Sequence, residues 1–123
     1  MLDEKNKGFG YLQTCMDKRF VAPQRKVFEE KTGLNSREYW QESYPGGSAL
    51  ATDPLGEDYA SQHGATIFGW GAHGSACGGQ PGVSDGEIRT RLQATIEKKK
   101  KKFPHGTHFS LFSTVDGTEI TEV

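Results

Sequence analysis

No stretch of this sequence is long and apolar enough to cross a membrane, and no internal repeat or linker divides it, so one domain over residues 1–123 is expected. Cysteine is scarce: two residues cannot build a disulfide framework, and in a reducing compartment they are thiols, metal ligands or nucleophiles. Charge of one sign is lacking, with 15 Lys+Arg against 16 Asp+Glu and a net charge of −1. That balance argues against dedicated nucleic-acid binding, which usually leaves a strongly basic chain. Met1-Leu2-Asp3-Glu4-Lys5 lacks the basic and then apolar pattern of a secretory signal, so a cytoplasmic location is expected. Apolar residues are few as well, at 33%, although 16 glycines dilute every other class. A core so thinly supplied suggests a partner subunit covering part of the surface, as in a homodimer or higher homo-oligomer.

What is present reads as alternating strands and helices. Phe9 to Cys15 (FGYLQTC) forms a first strand that ends at a cysteine. Pro23 suits the first turn of a helix running to about Thr32, capped by Gly33, with Val27 and Phe28 as its apolar contacts. Residues 42–56 are rich in Gly, Pro and Ser and read as loop, with room for a short strand, and Glu57 to Gln62 as a short helix. Ala65 to Gly71 (ATIFGWG) is an apolar run of strand length, and His73-Gly-Ser-Ala-Cys77 lies just past its end. Ser84-Asp-Gly-Glu87 is a capping box. Ile88, Leu92 and Ile96 then make a narrow stripe on a helix that Pro104 stops near Lys102, the lysines 98–102 filling its last turn. Thr107 to Val115 and Thr118 to Val123 read as strands joined by Asp116-Gly117, a hairpin turn. The fold class expected is α/β: a small, mostly parallel β-sheet flanked by helices, with a C-terminal β-hairpin.

Cys15 and His73 thus fall at the carboxyl ends of two strands, where α/β sheets place their ligands. With Cys77 they supply two thiolates and one imidazole, a good zinc shell that leaves a fourth position open, as catalytic zinc requires. Metal coordination would lower the pKa of bound water from about 15.7 to about 7 and provide hydroxide at neutral pH. Asp17 is two residues from Cys15 and within reach of that position, and Arg19, sharing one face of an extended strand end with it, can hold it ionised and aimed.

Cys15-Met-Asp17-Lys-Arg19 resembles the C-x-D-x-R motif of the β-class carbonic anhydrases. Asp58 to Gly79 resembles that family's helix, strand and H-x-x-C-G-G segment, and Pro45-Gly46-Gly47 its glycine turn. The resemblance spans roughly residues 9 to 123 and is densest over 12–20 and 58–80. It implies Cys15, His73 and Cys77 as zinc ligands, Asp17 and Arg19 as a catalytic dyad, and reversible hydration of CO2 to bicarbonate by zinc-bound hydroxide in a dimer or larger assembly. The spacing His73-x-x-x-Cys77 is one residue longer than the family's, and Gly74 is the residue expected to absorb the difference as a bulge. Ser43-Tyr44 stands where the family has an Arg-Asn pair.

Other readings stay open beside this one. Relatives with the same core hydrolyse CS2 or COS, and pocket size and polarity would decide. A non-catalytic zinc-binding module is a third reading, with Asp17 closing the fourth position. His63 suits a helix C-terminus and is also the one candidate proton shuttle. His105 and His108 fall on opposite strand faces and read as exposed; the lysine run reads as a solvated helix end, and Trp40 and Trp70 as packing residues.

Overall fold

A computed structural model describes residues 8–51 and 54–123; the targeting reading of residues 1–5, and positions 52 and 53 of the expected loop, lie outside the described residues. The elements run β1 (Phe9–Cys15), α1 (Val21–Thr32), β2 (Tyr39–Tyr44), a 3-10 turn (Gly47–Ala49), α2 (Leu55–Gln62), β3 (Ala65–His73), α3 (Asp85–Lys102), β4 (Thr107–Thr114) and β5 (Gly117–Glu122). One five-stranded sheet has the order β2-β1-β3-β4-β5; the first four strands are parallel and β5 returns antiparallel to β4. The α/β class, the mostly parallel sheet and the closing hairpin are therefore as expected.

Local rules account for most boundaries. Gly33 ends α1 in the left-handed conformation (φ 77°), its N–H closing on the Glu29 carbonyl. Ser84 caps α3, its hydroxyl accepting from the Glu87 backbone N–H, while the Glu87 carboxylate meets Arg91 one turn on. Several boundaries move from expectation. The stretch 42–56 read as loop opens on the last residues of β2, an edge strand whose half-buried residues give little alternation, and closes on α2, which starts at Leu55 and not at Glu57. The hairpin turn sits one residue early, at Val115-Asp116. Strand β3 continues to His73, so the histidine is its last residue.

The helices divide between the two sheet faces. Phe28 of α1 packs with Leu12, Ile67 and Leu111 on one face. On the other, Ile88, Leu92 and Ile96 of α3 and Ala60 of α2 pack on Tyr11, Phe68 and Trp70. The lysine run is not uniformly solvated. Lys99 continues the α3 stripe and is buried, its ammonium 2.6 Å from the buried Glu57 carboxylate. Burial pushes the Glu57 carboxyl up and the Lys99 charge opposes that. His108 is likewise buried, contrary to the exposed reading, whereas His105 is exposed. Trp70 Nε1–H donates to His108 Nδ1 (3.0 Å) and His108 Nε2–H to the Phe103 carbonyl (2.9 Å), within a parallel stack of Phe68, Trp70, Phe103 and His108.

The order β2-β1-β3-β4 changes direction between β1 and β3. Such a switch point opens a crevice beyond the strands' carboxyl ends, and Cys15 and His73 terminate the two strands that flank it.

Candidate metal centre

Cys15, His73 and Cys77 converge in that crevice with their ligand atoms all within 4.8 Å of one another, and all three residues are buried. The two sulfurs stand 3.9 Å apart. A tetrahedral ion with sulfurs at about 2.3 Å would separate them by roughly 3.8 Å. His73 Nδ1–H donates to the Gly74 carbonyl at 2.7 Å, which leaves Nε2 with its lone pair free. That nitrogen is completely buried and has no hydrogen-bond partner. A buried acceptor without a donor is costly, and a cation beside the two sulfurs would satisfy it. The group could hold a metal ion, and the softness of its donors suits a thiophilic one.

The loop from His73 to Cys77 absorbs its additional residue in an unexpected place. Gly74 is not the bulge: the left-handed residues are Ser75 (φ 53°) and Ala76 (φ 67°). Neither has the conformational freedom of glycine, so each needs external support. Gly74 N–H donates to the Ser113 carbonyl (2.8 Å), Ser75 N–H to Asp85 Oδ1 (3.0 Å) and Val115 N–H to Ser75 Oγ (3.1 Å). Glycine at 74 serves a different need, because a Cβ there would sit 2.4 Å from the Asp85 carboxylate.

The glycine turn lies over the end of the sheet. Gly46 N–H donates to Cys15 Sγ at 3.3 Å. Gly47 is left-handed, and a Cβ on it would fall 2.3 Å from the Gly71 carbonyl and 2.8 Å from Cys15 N, so only glycine lets this turn approach the ligand strand. Ser48, fully buried beside it, donates to Gln13 Oε1 at 2.6 Å and ties the turn to β1.

Asp17 and Arg19 come together, but through a turn and not through strand alternation, since β1 has ended at Cys15. Asp17 Oδ1 accepts the Arg19 backbone N–H (2.9 Å), and the guanidinium holds both carboxylate oxygens, Nη2 to Oδ2 at 2.8 Å. The same Nη2 reaches the Ser75 and Ala76 carbonyls at 3.3 Å, tying the dyad to the left-handed loop. The Arg19 hydrogen bonds hold the Asp17 carboxyl down at about 2. Asp17 Oδ2 is 3.6 Å from His73 Nε2, at the edge of the three-ligand cluster. The Phe20 ring packs on the His73 imidazole with centroids 4.5 Å apart and shields it from solvent.

Comparison with protein-family models, with curated proteins and with solved structures finds no match for this chain. The site is therefore read from its own geometry. His63 lies at the opposite end of β3, its Nδ1 on the Tyr59 carbonyl (2.7 Å). The length of β3, roughly 25 Å at 3.3 Å per residue, separates it from the site, so it caps α2 and relays no proton there. Sequence reasoning missed Gly46 N–H, Ser75, Gln80 and Asp85. Gln80 alone carried a signal, standing one turn beyond a candidate ligand, Cys77. Among the described residues no helix is long and apolar enough to cross a membrane.

Proposed function

We propose that the chain holds a zinc ion through Cys15, His73 and Cys77 and catalyses reversible hydration of CO2 to bicarbonate, as a small and divergent member of the β-class carbonic anhydrases. The observation that carries this reading is the unpartnered His73 Nε2, buried beside two sulfurs 3.9 Å apart and 3.6 Å from an aspartate locked by an arginine. Two thiolates and an imidazole are the donor set zinc prefers. A zinc ion held there supplies a water that ionises near neutral pH.

The chain's own groups do the rest. His73 offers Nε2 because its Nδ1–H is committed to the Gly74 carbonyl. Asp17, kept ionised by Arg19, is an acceptor-only group at the cluster's edge. It therefore turns an O–H placed there so that the oxygen lone pair faces the substrate. Arg19 fixes both carboxylate oxygens and braces the Ser75–Ala76 carbonyls, so the acceptor and the Cys77 loop hold one geometry. Phe20 makes an apolar wall, suited to a small uncharged molecule such as CO2 and compatible with CS2 or COS. Exposed Leu55 and Tyr59 are surface that a homodimer or larger homo-oligomer would cover; light scattering checks this.

A second reading has one observation in its favour. Asp17 Oδ2 is close enough to His73 Nε2 to become a fourth ligand after a small shift, giving a closed structural site. The bidentate grip of Arg19 opposes that shift.

Stopped-flow CO2 hydration on zinc-loaded protein, across a pH range bracketing neutrality, separates the readings. The enzyme reading expects a rate well above buffer, rising with a pKa near neutrality, and a fall of about 100-fold in Asp17→Asn with zinc still bound. A buffer-level rate with one zinc bound overturns it; turnover of CS2 or COS would then identify the related hydrolase, and its absence a structural site.

A further inference from the structure

We infer that Gln80, oriented by Arg91, is a positioning residue for the Cys77 thiolate; this rests on the metal-binding reading above. Gln80 is buried, 3% exposed, in the turn that leaves the metal loop, where its backbone N–H donates to the Cys77 carbonyl at 3.0 Å. Its side-chain Nε2 lies 3.7 Å from Cys77 Sγ, within hydrogen-bond reach of a sulfur acceptor. At the other end of the amide, Arg91 Nη1 sits 3.1 Å from Oε1.

This second contact decides the orientation of the first. A guanidinium has only donors, so the amide atom facing Arg91 must be the oxygen, and the NH2 is then turned onto the sulfur. Arg91 belongs to α3, which is anchored on the sheet by Ile88 and Leu92, so the relay runs from a rigid helix through one buried amide to the ligand. Cys15 has its own donor, the Gly46 backbone N–H. Among the described residues each of the two sulfurs therefore faces one N–H, backbone at Cys15 and side chain at Cys77, and only the second is open to substitution without altering the main chain.

Such a bond does two things to a metal thiolate. It fixes the sulfur lone pairs that point at the metal, and it draws charge from the sulfur, making it a weaker electron donor. Its loss should raise the energy of the sulfur's electrons and let the ligand wander.

The test uses the full chain loaded with cobalt(II) for spectroscopy and with zinc for exchange. Gln80→Met keeps the shape and removes the donor. Gln80→Glu keeps the Arg91 contact but presents an acceptor-only oxygen to the thiolate. Expected are a shift of the thiolate-to-cobalt charge-transfer band to lower energy in Gln80→Met and faster zinc release to a chromophoric chelator. The release rate should rise about 10-fold, as for other outer-shell partners, and further in Gln80→Glu. Arg91→Met should give a smaller effect of the same sign, with most of it restored by Arg91→Lys. The circular dichroism of each variant, matched to the parent, excludes a folding cause; should Gln80→Met fail to fold, Arg91→Met and Arg91→Lys carry the test, since Arg91 lies at the surface.

An unchanged band and release rate in Gln80→Met, with the parent binding one cobalt, overturns the inference and leaves the metal site intact. A parent that binds neither cobalt nor zinc overturns the metal reading itself.

Discussion

Two parts of this molecule bury ionisable side chains, and they treat them in opposite ways. On the α2/α3 face, Glu57 meets Lys99 at 2.6 Å, and His108 accepts a hydrogen bond from Trp70 while donating one to the Phe103 carbonyl. Those groups find partners inside the chain, although the second Glu57 oxygen, Oε2, is buried without a hydrogen bond. At the carboxyl end of β1 and β3, His73 is just as buried, yet its Nε2 has no hydrogen-bond partner, and two sulfurs stand beside it. The difference teaches that a buried orphan atom is not by itself a binding site: the one at Glu57 belongs to a carboxylate that already holds a cation, whereas the one at His73 is a lone pair grouped with two sulfurs that could hold a metal ion with it.

The largest effect should come from breaking the Glu57–Lys99 ion pair. Lys99→Met leaves the Glu57 carboxylate buried without its nearest cation, and loss of one partner of a buried pair costs about 3–5 kcal/mol. Lys102, 3.6 Å from the same oxygen, can recover part of this. Urea denaturation measures the loss, and the double variant Glu57→Leu/Lys99→Met should regain most of it. Full stability in Lys99→Met alone would mean that the pair contributes nothing.

The equivalent cut at the metal centre should behave differently. His73→Leu removes an unpartnered nitrogen but also the donor to the Gly74 carbonyl, so the metal-free protein should lose about 1–2 kcal/mol, less than Lys99→Met. If the proposed zinc site holds, what should disappear is stabilisation by added zinc, about 2.7 kcal/mol for the parent at 100 times the dissociation constant. Thermal unfolding with and without zinc reads both quantities. A large loss in metal-free His73→Leu would place the histidine among the structural groups and erase the contrast between the two regions.

How far the sequence announced these regions follows from what each depends on. The grouping of Cys15, His73 and Cys77 was legible because metal ligation needs particular residue types, and these three are distinctive where they occur. The boundaries of β1, the capping of α3 at Ser84 and the presence of the closing hairpin were legible for a similar reason, since short-range turn and cap chemistry names its residues, although the turn falls at Val115-Asp116, one residue before the expected Asp116-Gly117. The Glu57–Lys99 pair was not. Lys99 sits inside a run of lysines, and only its place three residues past Ile96 on the same helical stripe marks it as inward-facing. His108 was hidden because its burial depends on Trp70, a neighbour across the sheet. The backbone of the metal loop was misread for a physical reason: glycine signals left-handed freedom, but tertiary bonds force that conformation onto Ser75 and Ala76 and reserve Gly74 for the Asp85 contact.

A smaller effect sharpens the contrast through pH. Burial holds the His108 imidazole below its ordinary value, and Lys100 pushes the same way. The unfolded chain, with a histidine pKa near 6.5, therefore binds a proton that the folded chain refuses. The sign follows from linkage: stability falls as pH drops below about 6.5 and stops falling from this source once the folded imidazole also protonates. His108→Gln can still accept from Trp70 and cannot titrate. Its stability should lie closer to flat in that window than the parent's, by denaturation at stepped pH, and identical slopes would show that His108 does not set the acid limb.

The smallest effect lies in the loop that joins the two chemistries of the metal centre. Ala76 holds a left-handed conformation (φ 67°), which costs a residue with a Cβ about 1 kcal/mol or more. Ala76→Gly should remove that strain, less the entropy glycine adds to the unfolded chain, for a net gain of about 0.5 kcal/mol in the metal-free protein. The same change loosens the segment that Arg19 braces through the Ser75 and Ala76 carbonyls, so zinc should leave faster even as the fold becomes slightly firmer. Opposite movement of these two readouts is what separates strain kept for ligand placement from strain that merely accompanies a tight turn. If stability and zinc retention rise together, the loop is a tight turn and no more, and the geometry of Cys77 rests on Gln80 and the sheet alone.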